Sequence, residues 1–160
     1  MSNEPTRLKH KLAEARSYDV DFHAWADAQA SKLRQLQPAG LDWRNLIEEL
    51  EGMARSDERA LESFLAVLLI HLLKYRYERN KRSGSWEASI ENSRDQIDYL
   101  LERSPSLVNK IGAAFPRAYR LARRRAGAEM GLRKREWEAK LPASCEWRLE
   151  QVRDSDFWPD

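Results

Sequence analysis

The sequence predicts an all-α fold, a single-domain helical bundle of about five to seven helices. Three observations lead there. Apolar residues recur at helical spacing, and no alternating strand pattern persists anywhere in the chain. Only 6 glycines and 6 prolines occur in 160 residues, too few for a turn-rich β architecture. One stretch, Leu65-Ala66-Val67-Leu68-Leu69-Ile70-His71-Leu72-Leu73-Lys74-Tyr75, is apolar nearly all round, as befits a helix at the centre of a bundle. With 42% hydrophobic and 34% charged residues, the composition is globular with a heavily charged surface. The expected organisation is a loose arm over residues 1–17, then one helical domain over 18–160 with a less regular tail from about residue 132.

The elements follow in order. Phe22, Trp25, Ala26, Gln29, Leu33 and Leu36 form the stripe of a first helix, with Asp19 as its N-cap and Gln37-Pro38-Ala39-Gly40 as its end. Asp42 caps a second helix striped by Trp43, Leu46, Ile47, Leu50 and Met53. Ser56 can start a third helix, or residues 43–77 can run as one; nothing at 55–57 forces a break. Past Asn80-Lys81-Arg82-Ser83-Gly84, Ser85 caps a helix carrying Trp86, Ile90, Ile97, Leu100 and Leu101. Ser104-Pro105 reads as a cap followed by proline at the first helical position. Pro116 then opens a further helix that ends at Gly131, and short turns form near Trp137 and Leu149.

The net charge of +2 is unevenly spread: residues 1–73 carry −3, residues 74–140 carry +8 and residues 141–160 carry −3. One positive face for an anionic partner is therefore expected, set against the plain alternative of neutralisation within the fold. A single cysteine, Cys145, excludes an internal disulfide and favours a reducing cytoplasm. Residues 1–16 are polar, unlike a signal peptide, and the apolar run is shorter than the roughly 20 residues that cross a bilayer, so no membrane association is expected.

Several blocks together carry a family resemblance. They are Tyr18-Asp19-Val20-Asp21-Phe22-His23-Ala24-Trp25 with Gln29-Ala30, and Asn45-Leu46-Ile47-Glu48-Glu49-Leu50-Glu51-Gly52-Met53 with Arg55-Ser56. Next come Leu68-Leu69-Ile70-His71-Leu72-Leu73-Lys74-Tyr75, Ser85-Trp86, Ser104-Pro105-Ser106-Leu107 and the tail Phe157-Trp158-Pro159. In this order they resemble the bacterial family catalogued as domain of unknown function twenty-nine. The resemblance spans about residues 18–159, implies a small all-helical bacterial protein and carries over no catalytic residue. One departure is Ser144-Cys145-Glu146, where the family usually has proline after the cysteine.

Two functional readings come from the residues. In the leading one, the chain is a non-enzymatic interaction module whose basic face meets nucleic acid or an acidic protein. Arg117, Arg120, Arg123, Arg124, Arg125, Arg133, Lys134 and Arg135 would contact the anion, neutralising phosphates without reading bases. A second cluster, Arg76, Arg79, Lys81 and Arg82, sits beside Tyr75 and Tyr77, which could stack on bases. Trp43 and Trp137 are candidates for an exposed interaction surface. In the alternative, His71 is buried and acts as acid and base with a carboxylate such as Glu48. That pairing needs antiparallel packing, since in one continuous helix the two would lie about 30 Å apart. No metal-ligand spacing or glycine-rich phosphate loop occurs, so no metal or cofactor is expected, and nothing adjacent activates Cys145. A homo-oligomer is compatible with the sequence.

Overall fold

Strong helix formers dominate from Phe22 onward, and in the computed structural model, which describes residues 17–160, every regular element among them is helical. The arm expected at the amino terminus lies, but for Ser17, outside the described residues. The helices are α1 (Phe22–Leu36), α2 (Trp43–Tyr77), α3 (Gly84–Arg103), α4 (Val108–Glu129), α5 (Lys134–Lys140) and α6 (Leu149–Arg153). Residues 17–20 are also helical, and 3₁₀ turns occupy Arg79–Lys81 and Pro105–Leu107. The all-α class is thus as expected.

Three boundaries differ from the sequence reading. Asp21, not Asp19, caps α1: its backbone is extended and its Oδ1 accepts from Ala24 N–H at 2.9 Å. The buried face of α1 is Phe22, His23, Ala26 and Ala30, whereas Leu36 is exposed. Ser83 rather than Ser85 precedes the first turn of α3, its carbonyl accepting from Trp86 N–H at 3.0 Å. Pro116 lies inside α4 instead of opening it. An interior proline removes one helical bond and costs about 3 kcal/mol. Here Ile111, Ala114, Ala118, Ala122 and Ala126 continue one buried stripe across it, so packing outweighs that local cost. Residues 55–57 leave α2 unbroken as one 35-residue helix, capped as expected by Asp42.

The chain forms two compact units. Among the described residues, one takes residues 17–59 with Leu100–Val108; the other takes Ala60–Tyr99 with Asn109–Asp160. In the first, Asp21 serves two helix starts: beyond its α1 cap it accepts from Ser106 N–H (Oδ2, 2.6 Å) and from the Ser106 hydroxyl (Oδ1, 2.9 Å). Tyr18, Phe22 and Trp25 form an aromatic cluster, with the Arg103 guanidinium 4.5 Å from the Phe22 ring centre. A bond from Arg34 holds the Glu51 carboxyl below the usual carboxylate range.

In the second unit, Leu61, Leu65, Leu68, Leu69, Leu72 and Leu73 are fully buried, which fits the apolar run of the sequence. The irregular tail is pinned by cations. Arg94, only 3% exposed, donates to the carbonyls of Val152 (3.0 Å), Ser155 (3.3 Å) and Phe157 (2.7 Å), and to Glu91 (3.1 Å). Burial pulls this guanidinium down from its ordinary value, with Glu91 opposing. Arg82 donates to Tyr75 O and Pro159 O, while Trp158 packs on Tyr75 at 5.2 Å. At the far end of α4, Gly131 adopts φ +73° and closes a Schellman motif, with Leu132 N–H on Gly127 O and Gly131 N–H on Ala128 O. Trp137 of α5 packs directly on Gly127, where a Cβ atom would fall inside contact distance of the indole.

Two outcomes follow. Arg94→Leu strands three carbonyls and should destabilise the protein by about 3–5 kcal/mol in urea unfolding, far more than an exposed arginine such as Arg59→Leu. Gly127→Ala should cost about 1–3 kcal/mol by overpacking, whereas Gly112→Ala in the same helix, with open space at its Cβ, should be neutral or stabilising.

Candidate functional site

The catalytic alternative rested on His71 and Glu48, and the continuity of α2 separates them. Both lie on this one helix, 23 residues apart in the sequence. Nor is His71 the buried ionisable group that the apolar run suggested. It is half-buried, and its Nδ1–H donates to the Val67 carbonyl one turn back at 2.9 Å. Among the described residues, the charged or imidazole side chains that are buried are those of His23, Asp57, Lys74 and Arg94.

His23 belongs to a cluster that sequence reasoning did not assemble. Its backbone N–H donates to Ser104 Oγ (3.2 Å), Nδ1 contacts Ser106 Oγ (3.2 Å) and Nε2 contacts Glu58 Oε1 (3.0 Å). The Ser104 hydroxyl donates to Asp57 Oδ2 (3.1 Å), and Ser106 donates to Asp21. Hydroxyl, imidazole and carboxylate in line superficially match an activated nucleophile. The proton direction argues otherwise. The Ser106 hydroxyl lies nearer to the Asp21 carboxylate, to which it donates at 2.9 Å, than to His23 Nδ1 at 3.2 Å, so its one hydrogen already has an acceptor other than the imidazole. The carboxylate of Asp21 is in turn occupied by two backbone N–H groups. The cluster therefore ties α1, the 3₁₀ turn Pro105–Leu107 and α2 together. The signal in the sequence was that three of its stretches, 18–25, 55–58 and 104–107, each contain N-cap residues and mostly coincide with the recognisable blocks.

The eight basic candidates of residues 117–135 divide by role. Arg117 pairs with Glu62 at 2.8 Å. Arg123 turns inward: its guanidinium donates to Leu141 O and Glu138 O, both at 2.8 Å from Nη2, and lies 5.1 Å from the Trp137 ring centre. Lys134 faces Glu138 at 3.8 Å, and the Arg133 N–H donates to Glu136 at 2.5 Å. Arg120, Arg124, Arg125 and Arg135 are exposed, and among the described residues none of them has an ion-pair partner. By helical spacing Arg117, Arg120 and Arg124 share the face of α4 opposite its alanine stripe. Arg120, Leu121, Arg123, Arg124, Trp137 and Ala143 line a cleft of about 410 Å³.

The second basic cluster is corrected. Arg82 is committed to two carbonyls, Lys81 to Glu78 at 2.5 Å and Arg76 to Glu146 at 3.6 Å. The Tyr75 ring carries Arg82 at 4.0 Å and Trp158 at 5.2 Å, and Arg76 lies 5.6 Å from the Tyr77 ring. Trp43 and Trp137, read from the sequence as partly exposed, are both half-buried. Burial pushes the Cys145 thiol up, away from the reactive thiolate. Burial likewise raises the Tyr119 hydroxyl far above its ordinary value, and that hydroxyl donates to Pro142 O at 2.8 Å. Among the described residues no three His, Cys, Asp or Glu side chains are grouped to hold a metal, and no helix is long and apolar enough to cross a membrane.

No curated protein and no solved structure matches the chain. A family model does, over residues 17–158. Most of the blocks that carry the resemblance interlock: 18–25 and 104–107 in one unit, meeting Asp57 and Glu58 just past the Arg55-Ser56 block, and 68–75, Trp86 and the Phe157-Trp158-Pro159 tail in the other. With nearly its full length matched and its packing built from those blocks, the chain belongs to the family described as Domain of unknown function DUF29.

Proposed function

We propose that this protein is a non-enzymatic interaction module that takes an anionic partner on the outward face of α4 and α5. The observation that carries this reading is the pair Arg120 and Arg124, exposed, without ion-pair partners among the described residues, and set along one cleft. Residues 108–140 hold ten basic and three acidic side chains. All three acids are engaged: Glu129 by Lys74 at 2.8 Å, Glu136 by the Arg133 N–H and Glu138 by Lys134. The positive potential is thus concentrated where the arginines are free to present their planar forks, a geometry suited to phosphate and carboxylate oxygens. Chemistry at His71 finds no partner in Glu48, and the His23 cluster is occupied in holding helix ends, which favours binding over catalysis. A reducing cytoplasm is the compartment that the lone cysteine favours.

Affinity for heparin as a generic polyanion tests the reading. Arg120→Glu/Arg124→Glu should weaken binding at least tenfold. Arg59→Glu/Arg79→Glu, with the same change in net charge on exposed positions, should leave it within about twofold. Equal losses in both would show that overall charge, and not this face, governs binding, and would sink the proposal.

A further inference from the structure

We infer that the partner is duplex DNA, gripped through its phosphate backbone without sequence readout. The inference rests on the anionic-partner reading and narrows it by what the arginine face lacks. An interface for a protein is built around buried apolar and aromatic anchors. The large hydrophobic residues exposed on the described chain are Tyr18, Val20, Leu36, Leu41, Leu46, Met53, Tyr99 and Val108, and none lies on the arginine-bearing turns of α4 or on α5. Leu121, Trp137 and Ala143 line the cleft but are not among these exposed residues, and a face so dominated by exposed charge suits a phosphodiester better than an acidic protein.

Single-stranded nucleic acid needs bare aromatic faces on which bases stack. Beside the cleft the aromatic ring is Trp137, and it already packs on Gly127 and carries Arg123. Duplex RNA is recognised largely through its 2′-hydroxyls, which call for polar side chains in the shallow groove. From residue 110 to residue 143 the chain holds no Ser, Thr, Asn or Gln. The same absence removes the amide side chains that pair with adenine. What remains is a row of guanidinium groups on a rigid helix. Arg120 and Arg124 stand about 6 Å apart along its axis, close to two steps of a DNA strand at about 3.4 Å each.

Fluorescence anisotropy with the full chain tests this, using a mixed-sequence 20-base-pair DNA duplex, its scrambled version, one of its single strands, the matching RNA duplex and heparin. The two DNA duplexes should bind alike, and at least fivefold more tightly than the single strand or the RNA. For about five phosphate contacts the slope of log affinity against log salt should be about −4.5. Arg120→Ala/Arg124→Ala, whose folding is checked by its melting curve, should flatten that slope by about 2. Equal binding to the single strand or to RNA, strong dependence on DNA sequence, or an unchanged slope in the variant would each overturn the inference. If duplex DNA fails while heparin still depends on Arg120 and Arg124, the anionic-partner reading stands and the DNA assignment falls. If heparin binding is also indifferent to these arginines, both fall.

Discussion

Guanidinium groups donating to main-chain carbonyls are the interaction on which the second unit depends. Its last stretch contains only α5 and α6, of seven and five residues, and helices so short leave most of their carbonyls without intrahelical partners. Arg94 answers Val152, Ser155 and Phe157; Arg82 answers Tyr75 and Pro159; Arg123 answers Glu138 and Leu141. Each guanidinium offers five donors in a fixed plane, so one side chain can satisfy carbonyls that no regular ladder reaches. The same division of labour leaves Arg120 and Arg124 without such work.

The first unit solves an analogous problem with the opposite charge. Helix starts leave N–H groups unpaired, and Asp21 satisfies those of α1 and of the turn at Pro105–Leu107 with one carboxylate. His23, Ser104 and Asp57 extend the arrangement inward, where a buried polar group without a partner would cost about 1–3 kcal/mol. The polar residues in the opening block therefore have a structural reason to be polar. Their apparent resemblance to catalytic machinery arises from the same rule, that buried donors and acceptors must be paired.

Much of this was legible in the sequence. Asp42, the leucines of 61–73 and Gly131 mark a helix start, a core and a helix end by local chemistry, and local chemistry was enough. Pro116 misled because its local penalty is outweighed by a stripe of alanines extending on both sides of it. His71 misled because an apolar run says that a helix is buried, not that each residue on it is; its ring reaches back along its own helix. Arg117, Arg120 and Arg123 look equivalent in the sequence. Their division into paired, exposed and inward-turned depends on Glu62, Leu141 and Trp137, which lie far along the chain or beyond a turn. The His23 cluster escaped for the same reason, its partners lying 35 to 83 residues away.

Pro116 has one more consequence, for motion. Its missing N–H removes a rung of the α4 ladder at Gly112, and both residues are exposed. The helix is thereby divided into two stretches whose amides can exchange with solvent at different rates, since the first turns can open without breaking the bonds that follow. The exposed arginines all lie beyond the missing rung, where the ladder is continuous to the Schellman closure at Gly131. The arginine-bearing turns thus lie wholly on the stretch of α4 whose ladder is complete.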